Sequence, residues 1–153
     1  MESKHIRSFR KTLRKFERIN LKINQRCCPG ISMAQCQALL EIAEMGKATT
    51  VELADIMRLD KSTLSRTIHE LVKKDLVARK SHPTDRRFTI LAPTTKGKKL
   101  SETINRENDA YYLTVFSMVS SDKLEDMLHK FASLVDIIEK KEKMRKKNDS
   151  CCT

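Results

Sequence analysis

Between Thr49 and Gly97 the apolar residues change their spacing twice, and that change leaves few arrangements open to the chain. Val51, Leu53, Ala54 and Ile56 fit the inner face of a helix of about two turns. Thr49 followed three residues later by Glu52 has the form of a capping box, which satisfies orphan amides at a helix start. Leu59 then closes a tight turn. Leu64, Ile68, Leu71 and Val72 recur every three or four residues and predict a second helix from about Lys61 to Lys74. Beyond it, Leu76–Lys80 and Phe88–Ala92 are strand-like runs, separated by the polar, mostly basic turn His82-Pro83-Thr84-Asp85-Arg86-Arg87.

Two short helices followed by a hairpin have the layout of a winged helix-turn-helix. The outer face of the second helix carries Lys61, Ser62, Thr63, Ser65, Arg66, His69 and Glu70. Such side chains suit a helix lying in a DNA major groove: hydroxyls bond phosphates or base edges, and Arg reaches guanine bidentately. Taken alone, this face is also what any solvated amphipathic helix displays. The hairpin directly after it favours duplex DNA. Arg86 and Arg87 at its tip are expected to meet the flanking minor groove, whose narrow tracts attract Arg, and Thr84 beside them is a further candidate DNA contact. Asp85 is expected to hold the wing in shape by accepting from a neighbouring Arg or from turn amides.

Asp85-Arg86-Arg87 with Leu91, Thr94 and Gly97 resembles the wing signature of the MarR (multiple antibiotic resistance regulator) family, Asp-x-Arg followed by strand residues and Thr-x-x-Gly. The resemblance extends back through Lys61-Ser62-Thr63-Leu64-Ser65-Arg66 to Leu53-Ala54, and forward into two long helices. Pro93 departs from the leucine commonest before the Thr. The resemblance implies terminal helices that interlock across a two-fold axis and set two recognition helices in successive major grooves.

Hydrophobic patterning outside the winged segment agrees with a dimer. Ile6, Phe9, Leu13, Phe16 and Ile23 alternate at three- and four-residue spacings with Asn20 in the missing place, a coiled-coil-like seam. After the wing, Leu100, Ile104, Tyr111, Val115 and Phe116 mark one long helix. Ser121-Asp122 starts another, bearing Leu124, Met127, Leu128, Phe131, Leu134, Val135 and Ile138. A small winged domain cannot cover both stripes, so an unshared helical cap on a monomer is the weaker account. The expected fold is therefore mainly α with a small β-hairpin. A winged helix-turn-helix spans 31–97, a helical dimerisation region 1–30 and 98–145, and a flexible tail 146–153.

A chain of 153 residues with 33% charged residues and a net charge of +11 can bury one core beneath a strongly basic surface, so a polyanion is its natural partner. No run of 18 apolar residues occurs, and the basic helix Met1 to Arg26 lacks a signal-peptide core. A cytoplasmic protein without membrane association is expected, although a basic amphipathic helix can also lie on a membrane surface.

Five cysteines are the second unusual feature: Cys27-Cys28 in an expected loop, Cys36 early in a helix starting near Ser32, and Cys151-Cys152 at the C-terminal end. In a reducing compartment structural disulfides are not expected, which leaves inert thiols, redox sensing or a thiophilic ion. Three thiolates would suit Cu(I), Zn or a metalloid such as trivalent arsenic. No Cys-x-x-Cys is present, and His5, His69, His82 and His129 fall on other elements, which weakens zinc. Peroxide sensing through a sulfenic acid would use the same residues. A further account leaves the cysteines silent and places a small aromatic ligand in a dimer cleft near Phe16, Tyr111 and Tyr112.

An enzyme is disfavoured. There is no Gly-rich phosphate loop and no His-Glu-x-x-His helix, and the only three glycines are Gly30, Gly46 and Gly97. No cofactor is required by this reading. A nucleoid-type protein binding DNA without sequence preference is the remaining alternative, and the Ser65 and Arg66 face argues against it. The sequence reading is a homodimeric repressor that leaves a palindromic operator when an effector binds.

Overall fold

The computed structural model describes residues 3–28, 30–81 and 89–149. The chain divides into two compact units, Met1–Asp109 and Ala110–Thr153. The first holds α1 (Ser3–Cys27), α2 (Met33–Met45), β1 (Ala48–Thr49), α3 (Thr50–Met57), α4 (Lys61–Lys73), β2 (Val77–Ser81), β3 (Thr89–Pro93) and most of α5 (Thr95–Phe116). The end of α5 and α6 (Ser121–Asp149) make up the second. Among the described residues no helix is long and apolar enough to cross a membrane.

Helix starts are fixed by local chemistry. Ser32 and Gln35 form a capping box on α2, and Thr49 with Glu52 forms the expected one on α3. Asp60 caps α4, and Arg58 turns the chain between α3 and α4 in the left-handed region at φ 52°. Helix α4 stops one residue short of the expected Lys74, which serves as its C-cap. The β-runs are each displaced by one residue from the expected Leu76–Lys80 and Phe88–Ala92.

The sheet has a third strand that the hydrophobic pattern did not reveal. Its order is β1-β3-β2, all antiparallel, with Ala48 opposite Leu91 and Arg79 also opposite Leu91 on the other side. A two-residue strand has no period of its own; only its pairing with β3 defines it.

The core is closed by Leu39 and Ile42 of α2, Leu53 of α3, Ile68 and Leu71 of α4 and Leu91 of β3, all completely buried. Each contributes about 1.5–3 kcal/mol of burial. The expected inner face of α3 is corrected here. Leu53 is buried and Ala54 and Met57 pack beside it, but Val51 and Ile56 stay exposed. Eight residues present only one narrow stripe to the core, and that stripe runs through positions 53, 54 and 57.

Thr94 and Gly97 join the sheet to α5. The Thr94 hydroxyl donates to the Asp75 carbonyl oxygen at 2.7 Å and accepts from the Gly97 amide at 3.0 Å, which caps α5. Gly97 packs so closely on the Leu76 backbone that a Cβ there would collide with its carbonyl oxygen. The Thr-x-x-Gly spacing thus has a steric cause, since only glycine permits this approach of helix to strand.

Candidate nucleic-acid interface

Leu64, Thr67, Ile68 and Leu71 anchor the inner side of α4 in the core. Their burial fixes the rotation of the helix and turns Lys61, Ser62, Ser65, Arg66 and His69 to solvent, while Thr63 is half-buried. The sequence therefore placed these side chains on the outward arc, and the core holds that arc rigid.

Ser62 and Thr63 carry a second task. Both hydroxyls donate to the Asp60 carboxylate, Thr63 at 2.6 Å, and both backbone amides donate to it at 3.0 and 2.9 Å. These bonds, the two hydroxyls first, hold the Asp60 carboxyl well below the usual carboxylate range. In the free protein the hydroxyl protons of Ser62 and Thr63 are thus engaged in the cap, and only oxygen lone pairs remain outward. Ser65, Arg66 and Lys61 are unencumbered by that cap. Glu52 is likewise held below its ordinary value, first by the Thr49 amide and then by the Thr49 hydroxyl.

Arg79 is the residue that sequence reasoning missed. It lies on β2 opposite Leu91 and two residues beyond buried Val77, so it shares the helix-facing side of the sheet. There the sheet runs past the core and the side chain emerges beside α4. Arg79 lines one depression with Ser65, Arg66, His69 and Glu70. It lines another, of about 350 Å³, with Lys61, Leu64, Ser65 and Asp55. The alternation Val77, Arg79 in the sequence carried this signal. Three cations, Lys61, Arg66 and Arg79, surround one stretch of α4, which suits phosphate contacts flanking base contacts. The wing-tip residues Thr84, Asp85, Arg86 and Arg87 lie outside the described residues, as do His82, Pro83 and Phe88.

The cysteines depart from expectation. Cys27 closes α1 rather than lying in a loop, and Cys28 and Cys36 are joined by a disulfide where free thiols were expected. Both members are buried, against Ile104. The cause is geometric: Cys36 sits in the first turn of α2, so its Cβ points back toward the α1–α2 turn, and the two Cα atoms come within 6.3 Å. The Cys27 side chain and Cys151 and Cys152 lie outside the description. Among the described residues no three Cys, His, Asp or Glu side chains gather as a metal site would require.

Phe16 is exposed on α1, in the first unit. Tyr111 and Tyr112 are in the second, packed edge to face at 5.3 Å, and Tyr112 lies 5.8 Å from the Phe116 ring.

Residues 30–87 match the sequence model of the MarR family. Among curated relatives, the HTH-type transcriptional regulator YdgJ of Bacillus subtilis is 24% identical over 115 residues, 73% of this chain and 70% of that protein. Staphylococcus aureus MarR, solved with salicylate and kanamycin, superposes with a TM-score of 0.80 at 21% identity, over 90% of this chain and 95% of its own. Streptococcus pneumoniae FabT, solved with DNA, gives a TM-score of 0.76 at 17% identity, over 91% and 99%. At these identities the structural matches establish the fold.

Proposed function

We propose that this chain, which belongs to the MarR family of winged-helix transcriptional regulators, works as a homodimeric repressor that an effector releases from a palindromic operator. The observation that carries the reading is the outward arc of α4, where Lys61, Ser65, Arg66 and His69 stand on a helix locked by its own core, with Arg79 beside them. Arg66 reads base edges, Lys61 and Arg79 bind phosphates, and the wing arginines Arg86 and Arg87 take the flanking minor groove. That FabT was solved with DNA supports the same use of the fold here.

Dimerisation draws its support from exposed apolar side chains on the terminal helices. Ile6, Phe9 and Leu13 of α1 and Val135 and Ile138 of α6 are each between 38% and 48% exposed. A second copy is the partner that covers them, and two-fold symmetry spaces the two α4 helices for a palindrome.

The effector acts at the cysteines, and the Cys28–Cys36 pairing favours an oxidant over a soft ion. A hydroperoxide converts one thiol to a sulfenic acid with release of an alcohol; the second thiol then displaces water to form the disulfide. The new bond ties the end of α1 to the first turn of α2, and so couples the dimer helix to the winged core. A soft ion held by Cys27, Cys28, Cys36, Cys151 and Cys152 is the competing account of the same residues. A second reading, favoured by the salicylate in Staphylococcus aureus MarR, takes a small aromatic ligand as the effector and leaves the cysteines silent.

Fluorescence anisotropy on duplex from the protein's own promoter region tests all three. Release by peroxide, reversed by dithiol and lost in Cys28→Ser and Cys36→Ser, is the expected result. Release by trivalent arsenic or Cu(I) under reducing conditions would move the effector to the ion, and release by salicylate alone would move it to the aromatic ligand.

A further inference from the structure

We propose that the outward face of α1 is a second phosphate-binding surface, which holds duplex DNA outside the segment that α4 reads. The proposal rests on the dimeric reading above, which assigns the opposite face of α1 to a partner helix.

Charge is distributed against expectation for a winged-helix protein. Residues 1–30 hold nine Lys and Arg against two Glu, whereas residues 31–97, with the whole recognition apparatus, hold eleven against eight acidic residues. Residues 98–153 are nearly balanced, eleven against ten. Most of the +11 therefore sits on the helix that the winged core does not use.

At about 100° per residue, the nine cations of α1 fall within an arc of about 160°, opposite Phe9, Leu13 and Asn20. All are exposed, and among the described residues none has an ion-pair partner. Helix α6 behaves differently: Lys130 pairs with Asp126, Lys143 with Glu139 and Arg145 with Glu142. On α1 the i,i+4 neighbours are instead like charges, as in Arg7–Lys11, Arg14–Arg18 and Arg18–Lys22. Such pairs oppose helix formation, and an anionic partner would relieve them.

The arc runs from Lys4 to Arg26, about 33 Å, close to one turn of duplex. Five of its cations are Arg, which engages phosphate oxygens bidentately. A membrane surface fits less well. Asn20 sits at the middle of the apolar face, where it suits the register of a helix seam and would be poorly placed in an acyl layer, and the chain has no Trp.

The test replaces Arg7, Lys11, Arg14 and Arg18, along the centre of the arc, by Gln, which preserves helix propensity. Circular dichroism and gel filtration confirm that helix content and dimer are kept; a single Arg14→Gln variant serves if the quadruple one fails this check. Binding is followed by anisotropy across a salt series, on a promoter duplex of about 20 base pairs and on promoter and random duplexes of about 60 base pairs. The expected result is unchanged affinity for the short duplex. On both long ones affinity falls at least about tenfold, and the salt dependence flattens by about 0.9 in slope per phosphate contact removed. If the second segment is a separate duplex, the wild type bridges two differently labelled short duplexes and the variant does not, which also upholds the proposal. Unchanged long-duplex slopes together with unchanged bridging overturn it. So does lost binding to phosphatidylglycerol vesicles with DNA binding intact, which would make the membrane the occupant. Equal wild-type affinity for promoter and random long duplexes would instead count against the operator reading, and the slope difference would still decide the role of α1.

Discussion

The winged core and the terminal helices spend their apolar residues in opposite ways. Leu39, Ile42, Leu53, Ile68, Leu71 and Leu91 leave no surface to solvent, whereas Phe131, Val135 and Ile138 on α6 and Phe9 and Phe16 on α1 remain 43% or more exposed. The first set closes on itself within about seventy residues and holds α4 in place. The second set stays largely open to solvent, the distribution on which the dimeric reading proposed above draws. In the dimeric reading proposed above, folding of the reader and assembly of the regulator are carried by different side chains, and substitutions should separate them.

The largest separation is expected at Gly97. In Gly97→Ala the new methyl meets the Leu76 backbone, so the helix–strand junction must shift. Thermal unfolding should show severe loss of stability, and a melting point equal to wild type would refute the close approach. Leu39→Ala should cost about 2–5 kcal/mol in urea unfolding, because its site cannot collapse fully around the cavity. The reciprocal change, Phe131→Glu with Val135→Glu, should leave the unfolding of the winged core intact while sedimentation shifts from dimer to monomer. Coupled loss of both would erase the distinction between the two regions.

Effects on recognition are smaller. Arg66→Ala should cost about 1–3 kcal/mol on the cognate duplex and relax sequence preference, while Lys61→Ala should weaken all duplexes alike and flatten the salt dependence. Equal losses on cognate and random DNA for Arg66→Ala would contradict base reading. Smallest is the acid sensitivity of the caps. Asp60 and Glu52 titrate below their ordinary range in the folded chain, so their contribution is fully present above the unfolded carboxylate values and fades as pH falls through the lower folded ones. Melting of the wild type between about pH 5 and pH 2 should therefore decline more steeply than that of Asp60→Asn, and parallel curves would remove Asp60 from the account.

Sequence alone determined what depends on neighbours a few residues apart. The capping box at Thr49 and Glu52, the inner stripe of α4 through Leu64, Ile68 and Leu71, and the start of α6 at Ser121 follow from 3.6-residue periodicity and side-chain-to-amide bonds, both local properties. Lys61, Ser65 and Arg66 were legible as outward residues for the same reason. Tertiary structure decided whatever required distant segments to meet. The strand at Ala48–Thr49 exists only against Leu91 and Ile90. The exposure of Val51 and Ile56 followed from which stripe of a two-turn helix the core accepted, the position of Arg79 beside α4 from sheet register, and the Cys28–Cys36 pairing from the turn that brings α1 back onto α2. Periodicity states which side chains share a face; only the packed chain states what that face meets.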